Sequence, residues 1–243
     1  RVLQQSLLQN RRGRAMPSSG RQAGSHCATA PNMVWCWDIT WLPTVVGGKY
    51  YYWYMMLDIF SRKIVAHEVH EAESADEAAR LIRRACLTEG LAGRPLVLHS
   101  DNGSVMKAST MLRTLQHLNV APSFSRPRVS NDNAFAESLF RTCKYRPDYP
   151  DKPFGSLEEA REWTQAFVKW YNGTHRHSGL KFMTPAQRHN GKGQEILQRR
   201  EQVYAAAKLK HPERWSRATR NWELKDEVWL NPSQSAEVKK RAA

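Results

Sequence analysis

The first regular pattern in the chain is a strict alternation of apolar and polar side chains. Apolar residues share one face (Trp35, Trp37, Ile39 and Trp41) and the residues between them share the other (Cys36, Asp38 and Thr40). Since successive side chains of a strand point to opposite faces, this alternation predicts a β-strand. Gly47-Gly48 predicts a turn. Residues 49–59, apolar on both faces, predict a second strand in the sheet interior, and residues 62–69 predict a third, which together make an antiparallel meander.

Amphipathic segments after these strands predict helices that pack on a sheet. Ser74 and Glu77 form a capping-box pattern at the start of the first, and Ser156 and Glu159 form another before a helix with an aromatic stripe that we expect to lie in a core. The segments between them predict a strand, a helix, a strand and a helix, at residues 95–98, 105–118, 120–124 and from about Asn133. The order predicts an α/β fold with a mixed five-stranded sheet flanked by helices.

Net charge divides the chain into three parts. The formal net charge is +14 and the pI is about 9.9. Residues 1–32 carry +5 and residues 199–243 carry another +5, which leaves +4 for residues 33–198. We therefore predict a basic N-terminal arm (1–32), a catalytic core (33–198) and a small basic C-terminal appendage (199–243). This charge favours nucleic acid as the partner, whereas a basic protein with no nucleic-acid role is the alternative.

Cysteine usage and hydropathy narrow the class of protein. The four cysteines form no C-x-x-C pair, which indicates a reduced chain rather than a disulfide framework (Cys27, Cys36, Cys86 and Cys143). No apolar run approaches the roughly 18 residues of a membrane span, and no signal sequence is visible. We expect a cytoplasmic protein without a membrane partner. The first residue is Arg1 rather than Met, so the sequence is consistent with a fragment, a processed product or part of a fusion.

Three acidic residues stand where metal-dependent chemistry would need them, and each also has a simpler explanation. Asp38 lies on the polar face of a tryptophan-rich strand, where a local hydrogen bond could equally satisfy it. Asp101 directly follows a buried strand, although Asp-Asn-Gly is also common in turns. Glu137 lies in the first turn of a helix, on the same face as Arg141 and Lys144. An ordinary surface ion pair between Glu137 and Arg141 would explain this arrangement equally well.

The spacing of these acids leads to a family. Asp101 and Glu137 are separated by 35 residues, and five motifs follow one another in order. The motifs are Trp35-Cys36-Trp37-Asp38-Ile39-Thr40, Leu57-Asp58-Ile59-Phe60-Ser61-Arg62, His99-Ser100-Asp101-Asn102-Gly103-Ser104, Ser130-Asn131-Asp132-Asn133-Ala134-Phe135-Ala136-Glu137, and Trp170-Tyr171-Asn172 with His175, His177-Ser178 and Thr184-Pro185. They resemble the retroviral-integrase-like DDE transposases, in particular the catalytic, downstream reading-frame product of bacterial insertion sequences. The resemblance covers about residues 30–190 and continues more weakly to about 230.

The resemblance implies an RNase H-like fold and a reaction. An activated water hydrolyses a phosphodiester at the element end, and the 3′-OH that is left then attacks target DNA. The implied ligands of two Mg²⁺ or Mn²⁺ ions are Asp38, Asp101 and Glu137. The predicted DNA contacts are Lys144 and Arg141 on the catalytic helix, Arg126 and Arg128 in the loop before it, and His175 and His177 after it. The two histidines have no further ligands nearby in sequence, so we expect no zinc site.

The same resemblance implies the partners and leaves two alternatives. Implied partners are element-end and target DNA, further copies of the chain on paired ends, and an upstream reading-frame product, all in the cytoplasm and nucleoid of a bacterium. An RNase H-like nuclease would be expected to have a fourth carboxylate ligand, and we interpret Asp58, the nearest candidate, as structural. A truncated, non-catalytic DNA-binding product would be expected to have lost one of the three acids, and all three are present.

Overall fold

The computed structural model describes residues 24–91, 93–127 and 129–232 of the chain. Its strands are β1 (His26–Ala28), β2 (Val34–Pro43), β3 (Tyr50–Asp58), β4 (Ile64–His70), β5 (Leu96–Ser100), β6 (Val120–Phe124) and β7 (Val228–Leu230). Its α-helices are α1 (Ala75–Thr88), α2 (Ser104–Lys107), α3 (Ser109–His117), α4 (Ala134–Lys144), α5 (Leu157–Gly173), α6 (Pro185–His189) and α7 (Gly193–Lys210). Short 3₁₀ turns span Ser130–Asn133, Ser178–Leu180 and Pro212–Arg214. No helix of the described part of the chain is long and apolar enough to cross a membrane.

Five of the strands form one mixed sheet in the order β4-β3-β2-β5-β6. β3 pairs with β2 and with β4 in antiparallel fashion, whereas β5 runs parallel to both β2 and β6. The predicted α/β class, the five-stranded mixed sheet and the antiparallel meander are therefore confirmed.

Helices cover both faces of this sheet, which explains why β3 is apolar on both. Trp35, Trp37 and Tyr54 pack against α1, α2 and α3 on one face. On the other face, Trp53 and Leu42 pack against α4 and α5. A central strand buried on both faces needs consecutive large apolar side chains, and β3 supplies them from Trp53 to Leu57. The three candidate acids therefore lie on strands and a helix that pack into two separate hydrophobic cores, one on each face of the sheet.

One predicted helix is interrupted. The segment expected to form a single helix over residues 105–118 forms α2 and α3, with Ala108 between them in an extended conformation (φ −61°, ψ 140°). Val105 and Met106 before the break and Met111 and Leu115 after it pack into the same core. The break lets two short helices follow the sheet surface, a geometry that helical periodicity alone does not indicate.

The C-terminal residues that the structure describes pack on the core. Helix α7 runs across the predicted boundary between residues 198 and 199. β7 pairs with β1, and Leu230, which is 1% exposed, packs against Cys36 and Ile59. Trp222 packs inward on Leu180 and Leu197. The three-part division of the chain remains a prediction, and residues 1–23 of its N-terminal arm and 233–243 of its appendage lie outside the described residues.

Candidate active site

The register of two parallel strands brings Asp38 and Asp101 together. Cys36 on β2 lies opposite His99 on β5, so two residues further along both strands Asp38 lies beside Asp101. Asp101 comes directly after β5, and its Oδ1 accepts a hydrogen bond from Gly103 N at 2.9 Å. Asp38 is half-buried, and its Oδ1 accepts from its neighbour Ile39 N at 2.8 Å. The two acids therefore meet at the carboxyl end of β5, where open sheets commonly bind ligands.

A buried asparagine ties the third acid to the same place. Asn133, which is 3% exposed, immediately precedes α4, and its Nδ2 donates to the carbonyl oxygen of Trp37 at 3.1 Å. Trp37 is the residue before Asp38, and Glu137 follows Asn133 by four residues, about one helical turn. The contact holds the start of α4 against β2. No sequence pattern indicated this contact of Asn133, although its position one turn before Glu137 is visible in the sequence.

The three acids repel one another. The pKa of Asp38 is raised to about 7 by burial, and the negative charges of Asp101 and Glu137 raise it further. The Ile39 N–H and the charge of Lys144 act in the opposite direction. Within the described residues none of the three acids takes part in a salt bridge, although the chain carries a net charge of +14. A half-buried carboxylate without a paired cation is unfavourable, and such sites are often functional.

The donor chemistry of these residues fits a divalent metal ion. Carboxylate oxygens are the ligands that Mg²⁺ and Mn²⁺ prefer, and a bound cation would offset the repulsion among the three acids. The ligand atoms of Asp38, Asp101 and Glu137 do not all lie within 4.8 Å of one another. In the described part of the chain, the one group of three potential ligands that does so is Glu68, His70 and Glu77. Those two glutamates already form salt bridges with arginines, Glu68 with Arg84 and Glu77 with Arg80. That second cluster is therefore balanced without a metal.

Helix α4 carries two exposed cations, Lys144 and Arg141. The charge of Lys144 acts on Asp38 and opposes the rise in its pKa. The guanidinium of Arg141 lies 5.7 Å from the ring centre of Tyr145. Contact of either side chain with DNA stays a prediction.

The arginine that precedes α4 has a structural partner. Arg126 donates from Nε and Nη2 to the carboxylate of Asp132 at 3.0 and 2.9 Å, and its backbone N–H donates to the same group. An acid beside the start of a helix commonly caps it, but both oxygens of Asp132 are taken up by Arg126 instead. Arg126 as a DNA contact remains a prediction. Arg128, the other predicted contact in this loop, lies outside the described residues.

The two candidate histidines lie against the aromatic face of α5. The ring centre of His175 is 4.8 Å from that of Trp170 and 5.4 Å from that of Tyr171, and His177 follows at 5.9 Å from His175. Burial lowers the pKa of His177 to about 4 and also lowers the pKa of His175. Both rings are therefore neutral at pH 7. Their contact with DNA stays a prediction, and it would involve a neutral ring rather than a cation.

Asp58 is a buried structural acid, as expected. It is fully buried, and it accepts hydrogen bonds from Ser61 N, Ser61 Oγ and Asn32 N at 2.7, 2.6 and 2.7 Å. These contacts fix the turn between β3 and β4. With its oxygens occupied in this way, Asp58 does not provide a fourth ligand for the site.

Comparison with known proteins identifies the family. Two models described as Integrase core domain match residues 28–130 and 118–185. The transposase for insertion sequence element IS904 of Lactococcus lactis is 34% identical over 160 residues, covering 65% of this chain and 61% of that protein. The putative transposase InsK for insertion sequence element IS150 of Escherichia coli is 26% identical over 163 residues, covering 67% and 56%. The chain thus spans less than two thirds of the length of the relatives it matches.

The fold has a match among solved structures. A chain of the simian T-cell lymphotropic virus intasome superposes with a TM-score of 0.55 at 18% identity, covering 72% of this chain and 60% of that one. The RNase H-like fold that the sequence resemblance implied is therefore confirmed. With its two integrase core matches and its transposase relatives, the chain belongs to the retroviral-integrase-like superfamily, in the group of bacterial insertion-sequence transposases.

Proposed function

We propose that this chain is the catalytic part of a DNA transposase that cuts and joins phosphodiester bonds at the ends of an insertion element. The observation that carries the proposal is the convergence of Asp38, Asp101 and Glu137, three acids without a salt bridge among the described residues, from two parallel strands and one helix. Such a reaction needs carboxylates at one point, supplied by separate elements, and it needs no covalent enzyme intermediate.

The three acids are the proposed ligands of a divalent metal, Mg²⁺ or Mn²⁺, with two ions in the site. When bound, such ions activate an attacking oxygen and stabilise a leaving oxygen in phosphoryl transfer. Asp38 binds a metal ion best when its carboxyl group is ionised. In the ion-free protein its raised pKa favours the protonated form, and a bound cation would favour the charged form instead.

The cations of α4 have a separate task. We propose that Lys144 and Arg141 hold the DNA backbone beside the carboxylates, because exposed lysine and arginine neutralise phosphates. Arg126, Arg128, His175 and His177 are further proposed contacts. Of these, Arg126 also braces Asp132, so its removal would affect the loop before α4 as well as any DNA contact.

The proposed partners follow from the same reaction. They are element-end DNA, target DNA and further copies of this chain that hold two ends together. An upstream reading-frame product is a further proposed partner, and the proposed location is the bacterial cytoplasm and nucleoid.

The test is a strand-transfer assay with pre-cleaved element-end DNA and either Mg²⁺ or Mn²⁺. Wild type is compared with Glu137→Gln, which keeps the size of the side chain and removes its charge. Glu162→Gln is the matched control, because Glu162 is exposed on α5 and has no salt bridge in the described structure. We expect joined products that need metal in wild type and the control, and none in Glu137→Gln.

Two other results would overturn the proposal. Cutting without joining would indicate an RNase H-like nuclease. DNA binding without cutting or joining, in the presence of metal and the upstream product, would indicate a non-catalytic DNA-binding protein. Full activity of Glu137→Gln would remove Glu137 from the site.

A further inference from the structure

A cavity of about 190 Å³ lies beside the first turn of α4 and is rich in cations. Its walls come from the turn after β3, the start of α4, the loop around residues 179–183, α6 and the segment before β7. The charged residues that line it are Arg62, Lys181, Arg188, Lys225 and Glu227. Four cations thus face one acid, and we call this space the Arg62 cavity.

Arg62 has an unusual environment for a charged side chain. It is half-buried, its backbone is left-handed (φ 63°), and its guanidinium lies 3.9 Å from the ring centre of Phe135. Among the described residues it forms no side-chain hydrogen bond and no salt bridge. A guanidinium carries five N–H donors, and leaving them unpaired inside a protein is unfavourable. None of its nitrogens is fully buried without a hydrogen-bond partner. Since Arg62 lines the cavity, its unpaired N–H groups are accessible from there.

The acids around the cavity offset the charge of Arg62 only in part. The charge of Asp58 acts on Arg62, but the oxygens of Asp58 accept hydrogen bonds from Ser61 and Asn32 and not from the guanidinium. Glu227 is exposed, and its carboxylate accepts from Trp229 Nε1 at 3.0 Å. The cavity therefore keeps an excess of positive charge.

Two of the remaining cations, Arg188 and Lys181, donate to carbonyl oxygens, and the charges of Asp226 and Asp58 also act on Arg188. Arg188 is 7% exposed, lies 4.1 Å from the ring centre of Phe60, and donates to the carbonyl oxygen of Lys225 at 2.6 Å. Lys181 Nζ donates to the carbonyl oxygen of Asn221 at 2.8 Å. Carbonyl oxygens hold these side chains in place without cancelling their charge. The result is a cationic surface that is organised before any ligand binds.

We propose that the Arg62 cavity binds a phosphate group. A stacked guanidinium presents planar donors that match phosphate oxygens, and lysines add further positive charge. The site is distinct from the three carboxylates, because Phe135 and Glu137 are two residues apart on α4 and so point to opposite sides of the helix. The phosphate has two possible sources, the backbone of bound DNA and free phosphate in solution.

The first arm of the test uses inorganic phosphate and needs no DNA. The midpoint of thermal unfolding is measured in phosphate and in chloride at the same ionic strength. Arg62→Gln is the direct variant, but it also removes the stack on Phe135. The main comparison is therefore Lys181→Gln/Lys225→Gln against a control with the same charge change, Lys152→Gln/Lys169→Gln, at exposed positions away from the cavity.

We expect phosphate to raise the unfolding midpoint of wild type and control more than chloride does, because a ligand that binds only the folded state stabilises it. The cavity variant should gain less from phosphate than the control does, because only the general salt effect of phosphate on folded proteins remains. Equal midpoints in phosphate and chloride for wild type would overturn the proposal. So would a phosphate effect of wild-type size in the cavity variant.

The second arm identifies the source of the phosphate. The logarithm of the DNA affinity is measured against the logarithm of the salt concentration. If a backbone phosphate enters the cavity, the slope should fall by about one relative to the control variant. Equal slopes together with a positive first arm would support the cavity and identify free phosphate as its ligand. If the chain binds no DNA, the proposed function fails, but the first arm still tests whether the Arg62 cavity binds phosphate.

Discussion

Replacing Asp38 by asparagine tests whether the fold holds three negative charges together without a counter-charge. In the folded chain the pKa of Asp38 is about 7, against 3.8 for an unperturbed aspartate, with burial as the main cause and Asp101 and Glu137 as further causes. Because the folded state favours the protonated form, stability is highest below the unfolded pKa. Stability then falls as the pH rises through the folded pKa near 7.

The size of the effect follows from the two pKa values. At about 1.4 kcal/mol for each pH unit between them, the ionised carboxyl destabilises the ion-free protein by about 4 kcal/mol at pH 8. About 1.6 kcal/mol of this is already present at pH 5, so roughly 2–3 kcal/mol should appear between pH 5 and pH 8. Asparagine keeps the shape of the side chain and carries no charge. The free energy of unfolding of Asp38→Asn relative to wild type should therefore rise by about that amount between pH 5 and pH 8.

The assay is urea unfolding of wild type and Asp38→Asn at pH 5 and pH 8 with a chelator, repeated with Mg²⁺. Asp151→Asn serves as the control, since Asp151 is exposed and lies in a loop. Mg²⁺ should stabilise wild type more than the variant, because a metal ligand binds only the folded state. The reasoning is refuted if the stability difference between wild type and Asp38→Asn is the same at both pH values.

Three further predictions concern the support of the site. Leu230→Ala should lower the free energy of unfolding by about 2–5 kcal/mol in urea, since the side chain is 1% exposed in a core with Cys36; a change below about 1 kcal/mol would contradict its packing role. Asn133→Ala should reduce strand transfer while the far-UV circular dichroism spectrum is unchanged; undiminished activity would refute its positioning role. Arg126→Gln should lower the free energy of unfolding in urea, because Asp132, which is 2% exposed, loses its guanidinium partner, and Asp132→Asn in the same chain should recover part of that loss.

The sequence by itself determined the elements and their faces. The alternation around Asp38 predicted a strand with that acid on the side away from the tryptophans, and the apolar run of residues 49–59 predicted a strand buried on both faces. Both features depend only on the period of side-chain direction along a strand, which is local. The 35-residue spacing of Asp101 and Glu137 and the five motifs around them led to the family, since such an order does not arise from composition.

Local sequence patterns predicted contacts less reliably where a side chain has more than one possible hydrogen-bond partner. Asp132 looks like a helix cap in sequence, because an acid next to a helix start commonly accepts backbone N–H groups. In the structure the guanidinium of Arg126, six residues earlier, occupies it instead. The helix predicted over residues 105–118 likewise breaks at Ala108, which is extended, while residues of both halves pack into the same core.

Only the tertiary structure decided which distant residues meet. The register that aligns Asp38 with Asp101, the contact of Asn133 with the carbonyl of Trp37, and the pairing of β7 with β1 all join segments far apart in the chain. The Arg62 cavity is likewise built from several separate segments. Periodicity determines which face of an element a side chain occupies, but not what packs against that face. Those contacts depend on the packing of the whole chain, because each segment buries its apolar surface only against the others.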